Sequence, residues 1–248
     1  MFFKKLTPIL LSCAALNAQA LSFDRPGFGF ATEALEPGQA VLELSTPNYE
    51  NSKNSGTRFT ALGVDGLLRF GLMPNFELQL GSQFYGWQQS KATGQKSQTQ
   101  QGLGDGSLAI KWASDLGLEH FSLGFLLGTS LPFGDAPIGD QGEQSDLDMT
   151  LNWALPHELG LGLYANHQNT KDEDGWMIAP SFSFPLFSDF AGYLEIGYGE
   201  GSQQGQSAGG GITYAVTPRM QLDAWALSAL DSHSPDLQAG LGLSITLP

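Results

Sequence analysis

One pattern constrains this chain more than any other: apolar and polar residues alternate singly, segment after segment, from about Gln39 onward. A period of two marks a strand with one apolar and one polar face. The last segment shows it most clearly. Leu237, Ala239, Leu241, Leu243, Ile245 and Leu247 share one face, and Gln238, Gly240, Gly242, Ser244 and Thr246 share the other. Leu147, Met149, Leu151 and Trp153 oppose Asp146, Asp148, Thr150 and Asn152, and Leu62, Val64, Leu68, Phe70 and Leu72 oppose Asp65 and Arg69. About twelve segments follow this rule, each near the roughly 9–11 residues that a tilted transmembrane strand needs.

The connections are unequal. Short turns are expected at Met73-Pro74-Asn75, Leu155-Pro156-His157-Glu158, Phe187-Ser188-Asp189 and Thr217-Pro218-Arg219. Longer polar stretches are expected at 88–102, 133–144, 169–174, 199–206 and 230–235. Short and long connections in alternation are the habit of outer-membrane barrels. An even strand count would put both ends of the barrel on the short-turn, periplasmic side. A soluble β-sandwich or lipocalin-like barrel shares the alternation but buries its apolar face inward. The start of the chain, the turn asymmetry and the final strand together separate the two readings.

That start reads as an export signal. Lys4 and Lys5 precede an apolar run, Leu6 to Leu16, and Ala18-Gln19-Ala20 is a small-residue cleavage site. The run is shorter than the roughly 20 residues of a spanning helix, and no later segment approaches that length. The expected organisation is therefore a cleaved signal peptide (1–20), a periplasmic N-terminal segment (21–38) and an all-β, antiparallel transmembrane barrel of about twelve strands (39–248). Cys13, the one cysteine, lies in the leader, and Leu10-Leu11-Ser12-Cys13 has too little apolar sequence ahead of it to favour a lipoprotein. Beyond the leader nine basic residues face twenty-five acidic ones, a net charge of −16, which argues against nucleic acid as a partner.

On this register Asp65, Arg69, Glu77, Asp105, Lys111, Asp146, Asp148, Glu195 and Asp223 project into the lumen. Charges there must be hydrated or paired, because an isolated charge in low dielectric is too costly. Loosely packed, they form a cation-preferring pore; tightly paired, with Tyr85, Tyr164 and Tyr193 filling space, they close it. Arg25 and Phe28 mark the N-terminal segment as a candidate plug, with a disordered lead-in as the alternative. Trp112, Trp153, Trp176, Phe190 and Tyr198 fall near strand ends, where aromatic girdles belong.

Catalytic chemistry is not apparent. His120, His157, His167 and His233 have no partner at metal-ligand spacing, and no metal site or cofactor is expected. His157 and His233 read as turn and loop residues, His120 and His167 as strand ends. His120-Phe121-Ser122 has the spacing of a wall-mounted nucleophile pair but lacks the surroundings of an outer-membrane phospholipase. The acidic run Asp172-Glu173-Asp174 lacks the regular oxygen-ligand loop of a calcium site. The chain is not expected to be an enzyme.

Several stretches resemble one family. Asp24-Arg25-Pro26-Gly27-Phe28, and Leu35-Glu36-Pro37-Gly38-Gln39 running into Val41-Leu42-Glu43-Leu44, resemble the opening of the meta-pathway of phenol degradation, or transporter-like, family. Leu68-Arg69-Phe70-Gly71-Leu72 with Phe76-Glu77-Leu78-Gln79-Leu80 resembles its first hairpin. Gly102-Leu103-Gly104-Asp105 with Lys111, and Ser130-Leu131-Pro132-Phe133-Gly134, are also similar to it. The resemblance implies an outer-membrane barrel in a Gram-negative cell that passes small hydrophobic or aromatic solutes by passive diffusion. A structural or surface-interaction barrel with a closed lumen is the alternative. Outer-membrane lipid is an expected partner, as is the barrel-assembly machinery, whose signal the terminal Gly242-Leu243-Ser244-Ile245-Thr246-Leu247 resembles, apart from ending in Pro248.

Overall fold

The computed structural model describes residues 23–139 and 142–248. The expected leader, 1–20, lies outside the described residues. Thirteen antiparallel strands make up nearly all of the regular structure: β1 (Ala40–Asn54), β2 (Thr57–Met73), β3 (Phe76–Ala92), β4 (Gln98–Gly102), β5 (Gly106–Ser114), β6 (Phe121–Leu131), β7 (Gln144–Ala154), β8 (Gly160–Thr170), β9 (Asp174–Phe187), β10 (Phe190–Gly201), β11 (Gly205–Thr217), β12 (Met220–Ala229) and β13 (Leu237–Thr246). Consecutive strands pair with one another, except that β5 pairs with β3 in place of β4, and β1 pairs with β13, so the sheet closes. Twelve strands form the wall. β4 and β5 both pair with β3, β4 with its outer part and β5 with its inner part, so together they act as one interrupted strand.

The core is inverted relative to a soluble protein. Among the described residues fifteen buried ones are polar, including Arg69, Lys111, Glu43 and Glu77, and only eight are apolar, four of them alanines. Leu127, Leu147, Ile110, Leu194, Ile196, Leu222 and Leu241 are exposed instead. In water an apolar belt of this extent would drive association, so the surface is built for lipid. This disposes of the soluble sandwich and the lipocalin-like barrel.

Five connections lie at one end, here the turn end: 74–75, 115–120, 155–159, 188–189 and 218–219. Both ends of the barrel meet there, Leu247 donating its N–H to the Ala40 carbonyl at 2.9 Å. Aromatic contacts mark that rim: Phe121 stacks on Trp153, Trp112 on Phe125, and Phe190 sits between Phe187 and Tyr214. Trp176 and Tyr198 form the opposite band, their ring centroids 5.4 Å apart. Along β9, Trp176 and Phe187 lie about 36 Å apart at strand rise, which a tilt near 45° reduces to about 25 Å of height, the thickness of the apolar band.

The hairpin end departs from expectation. The stretch 88–102, expected as a surface loop, is largely strand: β3 continues to Ala92, and β4 returns along it. Glutamine and serine can occupy a strand whose two faces both meet water, so polarity alone misleads there. The connections within 169–174 and 199–206 also shrink, to residues 171–173 and 202–204. His167 lies inside β8, opposite Trp176 and Leu147, not at a strand end. Tyr85 is corrected as well. An extra residue in β3 between the pairs Val64↔Tyr85 and Asp65↔Gln83 reverses the alternation, so Tyr85 turns outward, is 43% exposed, and donates its hydroxyl to Gln101.

Candidate functional site: the barrel interior

The inward faces of β1, β2, β3 and β5 bring four charged side chains together. Glu43 and Arg69 lie two residues apart in register and so on the same face, since Val41 pairs with Arg69, and Glu77 pairs directly with Lys111. Arg69 donates to both oxygens of Glu77 at 2.8 and 2.9 Å, a bidentate geometry that only a guanidinium allows, and to Glu43 at 2.8 Å. Asp24, from the segment before β1, completes the cluster: its carboxylate lies 2.8 Å from Lys111 Nζ and 3.2 Å from Arg69 Nη1, and it accepts from Gln79 Nε2 at 2.7 Å. Arg69 and Lys111 are wholly buried, so each depends on these carboxylates.

From Asp24 the chain touches the wall strands in the order in which they stand around the barrel. The N–H groups of Asp24 and Arg25 donate to Glu43 on β1. The Arg25 guanidinium meets Asp223 on β12 at 3.1 Å. The Phe28 N–H donates to Glu195 on β10, and the Phe28 ring lies over Gly197, where a Cβ would meet it at 2.9 Å. The Phe30 N–H donates to Thr150 on β7, and the hydroxyls of Thr32 and Ser122 on β6 are 2.6 Å apart. The Leu35 N–H donates to Glu77 on β3 at 2.7 Å. Gly38 and Gln39 then exchange backbone bonds with Gly71 on β2. Gly71 is required there, because a Cβ would stand 2.1 Å from the Glu36 carbonyl oxygen. The Ala31 N–H donates back to Asp24 Oδ1, tying the two limbs of the circuit together.

The remaining sequence-predicted residues lie apart from this cluster. Asp148 accepts from Tyr164 and Asn166, each at 2.6 Å, and Asp146 accepts from Gln144 and Gln168. Asp65 is held by Asn48 on β1. Asp105 sits at the β4–β5 break and accepts from the Gly134 N–H. Glu195 Oε1, Asp223 Oδ2 and the Tyr193 hydroxyl are buried with no hydrogen-bond partner among the described residues, which is tolerable only in a hydrated interior. Asp24, Glu43 and Gln79 were absent from the sequence-based set. Glu43 was legible as the polar member of an apolar run; Asp24 stands in a segment with no periodicity, so only its place in the family-like opening marked it.

Two cavities flank the segment. One of about 790 Å³ opens toward the turn end and is lined by Phe30, Ser122, Thr150, Asn152, Tyr193 and Glu195. One of about 480 Å³ lies on the hairpin side, lined by Gln79, Gln83, Asp146, Asp148, Tyr164 and Asn166 among others, and no basic residue lines it. The two have no lining residue in common, but a third cavity of about 330 Å³ shares Arg25 with the first and Leu67, Gln83 and Asp105 among others with the second. At the hairpin-side mouth the 132–139 loop folds onto the β4–β5 break: Asp135 exchanges bonds with Leu103, and Gly134 packs on Gly104. Ile138 is buried there over Gly86.

The pair His120 and Ser122 does not form a nucleophile–base arrangement. Ser122 is engaged with Thr32, whereas His120 is an exposed turn residue with φ 72° whose nearest charged partner is Glu119 at 3.5 Å. Among the described residues no group of three or more His, Cys, Asp or Glu side chains is placed to hold a metal ion.

Solved structures similar to this chain are membrane barrels. The COG4313 outer membrane channel from Pseudomonas putida F1 matches with a TM-score of 0.66 at 14% identity, over 90% of this chain and 99% of that one. The KdgM porin, solved with disordered oligogalacturonate, matches with a TM-score of 0.55 at 9% identity, over 84% and 99%. The β domain of the Bordetella autotransporter BrkA matches with a TM-score of 0.54 at 13% identity, over 86% and 100%. At these identities the likeness is one of fold. No curated protein matches the chain. The family model described as "Putative MetA-pathway of phenol degradation" matches residues 23–247, which takes in the interior segment as well as the wall, and the chain belongs to that family.

Proposed function

We propose that this protein is an outer-membrane channel passing small hydrophobic or aromatic solutes by passive diffusion, with residues 23–38 as its internal plug. The observation that carries this reading is the segment itself, held across the interior through polar contacts between cavities of about 790 and 480 Å³. Hydrogen bonds and ion pairs can be exchanged for water, so such a segment can move without unfolding the wall. Family membership and the fold likeness to a COG4313 outer membrane channel support the same reading. The export signal over 1–20, delivery to the barrel-assembly machinery and insertion in outer-membrane lipid belong to this proposal. So does the absence of catalysis, supported by the way Ser122 is engaged.

The interior sets a preference among solutes. Among the described residues the interior cations Arg25, Arg69 and Lys111 are outnumbered by carboxylates that include Asp24, Glu43, Asp65, Glu77, Asp105, Asp146, Asp148, Glu195 and Asp223. Neutral or cationic solutes enter such a lumen more readily than anions. The test is uptake of small aromatic solutes into vesicles carrying the refolded protein. Entry of neutral aromatics faster than of aromatic carboxylates is expected, and vesicles no more permeable than protein-free ones would contradict the proposal. The closed-lumen alternative is favoured by one observation, the Ala31–Asp24 bond that ties the circuit across itself.

A further inference from the structure

On the outward face of β1, β2 and β3, beyond the aromatic band, three cations stand side by side. Lys53 pairs with Arg58, and Arg58 pairs with Lys91, so the three side chains leave one face of three adjacent strands. Directly opposed residues on one face have Cβ atoms about 5 Å apart, and like charges in that position repel. All three residues are exposed, and none makes an ion pair among the described residues.

The arrangement is concentrated as well as repulsive. Residues 48–63 and 86–102, two hairpin ends, hold Lys53, Arg58, Lys91 and Lys96 against a single acid, Glu50, in a chain that is otherwise strongly acidic. Asp231 and Asp236 border a cleft with Lys53, and Asp231 is engaged by the N–H groups of His233 and Ser234. Arg58 and Lys91 have no such neighbours in that cleft.

The rows below the cations give their depth. β2 keeps one alternation from Leu72 to Arg58, so Arg58 lies on the face of Leu68, Val64 and Leu62. Tyr49, Leu62 and Trp87 form one cross-strand row, and Asn51, Thr60 and Gln89 the next. Asn51 donates to Thr60 within that row. The cation row follows. Four residues separate Leu62 from Arg58, about 13 Å along the strand and about 9 Å of height at a 45° tilt. Tyr and Trp rings sit at headgroup level, so the cations stand at, or just outside, the phosphates of the facing leaflet.

We propose that Lys53, Arg58 and Lys91 form a binding site for a phosphorylated lipid headgroup, the phosphoglycolipid of the outer leaflet. The proposal rests on the reading of the barrel as membrane-spanning, and not on solute passage. A phosphate bridging adjacent cations removes the repulsion that the register imposes, and a guanidinium flanked by two ammonium groups suits it.

The test uses the full chain refolded in phosphatidylcholine vesicles containing a minor fraction of lipid A, with binding read from lipid A retained on transfer to detergent. A contribution of roughly fivefold per cation near an anionic surface predicts retention on the order of 100-fold weaker in K53Q/R58Q/K91Q. Heat-dependent gel mobility should match the parent protein, since all three residues are exposed. Dephosphorylated lipid A should bind as weakly to the parent as lipid A binds to the variant. The double variant K171Q/R219Q, which removes equally exposed cations elsewhere, should retain lipid A. Equal loss in that double variant, or no loss in the triple, would overturn the site. Full competition by inorganic phosphate at matched phosphate concentration would assign it to a free anion and overturn the lipid.

Discussion

The Asp24 carboxylate meets the Lys111 ammonium at 2.8 Å, joining the segment ahead of the barrel to its wall across 87 residues of sequence. Arg69 shares the same carboxylate oxygen. The cluster therefore holds two cations and three carboxylates, and its members are not interchangeable.

Arg69→Met leaves Asp24, Glu43 and Glu77 crowded around Lys111 alone. Removing one partner of a buried ion network costs roughly 3–5 kcal/mol. Asp24→Asn leaves two cations with two carboxylates and should cost clearly less. Urea unfolding in lipid vesicles should give that order; equal losses would mean that the cluster is not electrostatically organised.

Gly71→Ala places a methyl group where the Glu36 carbonyl oxygen stands. The wall of β2 is held on both sides by β1 and β3, so the segment should yield first. Increased cleavage within 23–38 by added protease, with unchanged heat-dependent mobility of the barrel, is expected. An unchanged cleavage pattern would show that the root of the segment does not depend on this close approach.

Leu194 and Glu195 are neighbours in β10 with opposite surroundings, 57% and 4% exposed. Leu194→Arg puts a charge in hydrocarbon and should destabilise by about 2–4 kcal/mol if the site lies near the midplane. Glu195→Gln keeps the acceptor for the Phe28 N–H and should cost under about 1 kcal/mol. A reversal of that order in unfolding measurements would mean that the register is inside out.

Neutralising Asp148 or Glu195 should lower the cation preference of any current the protein carries, because each removes a carboxylate from a lumen already rich in them. Reversal potentials in a salt gradient measure this directly. An unaltered potential in Asp148→Asn would exclude Asp148 from the conducting path.

The wall was legible because period-two alternation states both the strand and its faces, and the final strand, β13, follows it residue by residue. A bulge limited that legibility: the alternation in β3 reverses beside Phe84, so Tyr85 changes face with no signal in its own identity. The 88–102 stretch failed for a different reason, since a strand with water on both faces has no apolar stripe to read. The interior segment was least legible. Its order comes from partners far away, Glu43 on β1 and Glu195 on β10, and a chain without its own periodicity cannot announce contacts of that range. Arg25 and Phe28 were nonetheless singled out, through the Asp24-Arg25-Pro26 opening.

The most direct test of the account is conductance in planar lipid bilayers of the full chain and of a variant lacking residues 23–35, with folding of each confirmed by heat-dependent gel mobility. Small or absent steps are expected for the full chain, and larger, cation-preferring steps for the variant. Identical conductance from two folded barrels would show that the segment does not control the lumen and would contradict the account.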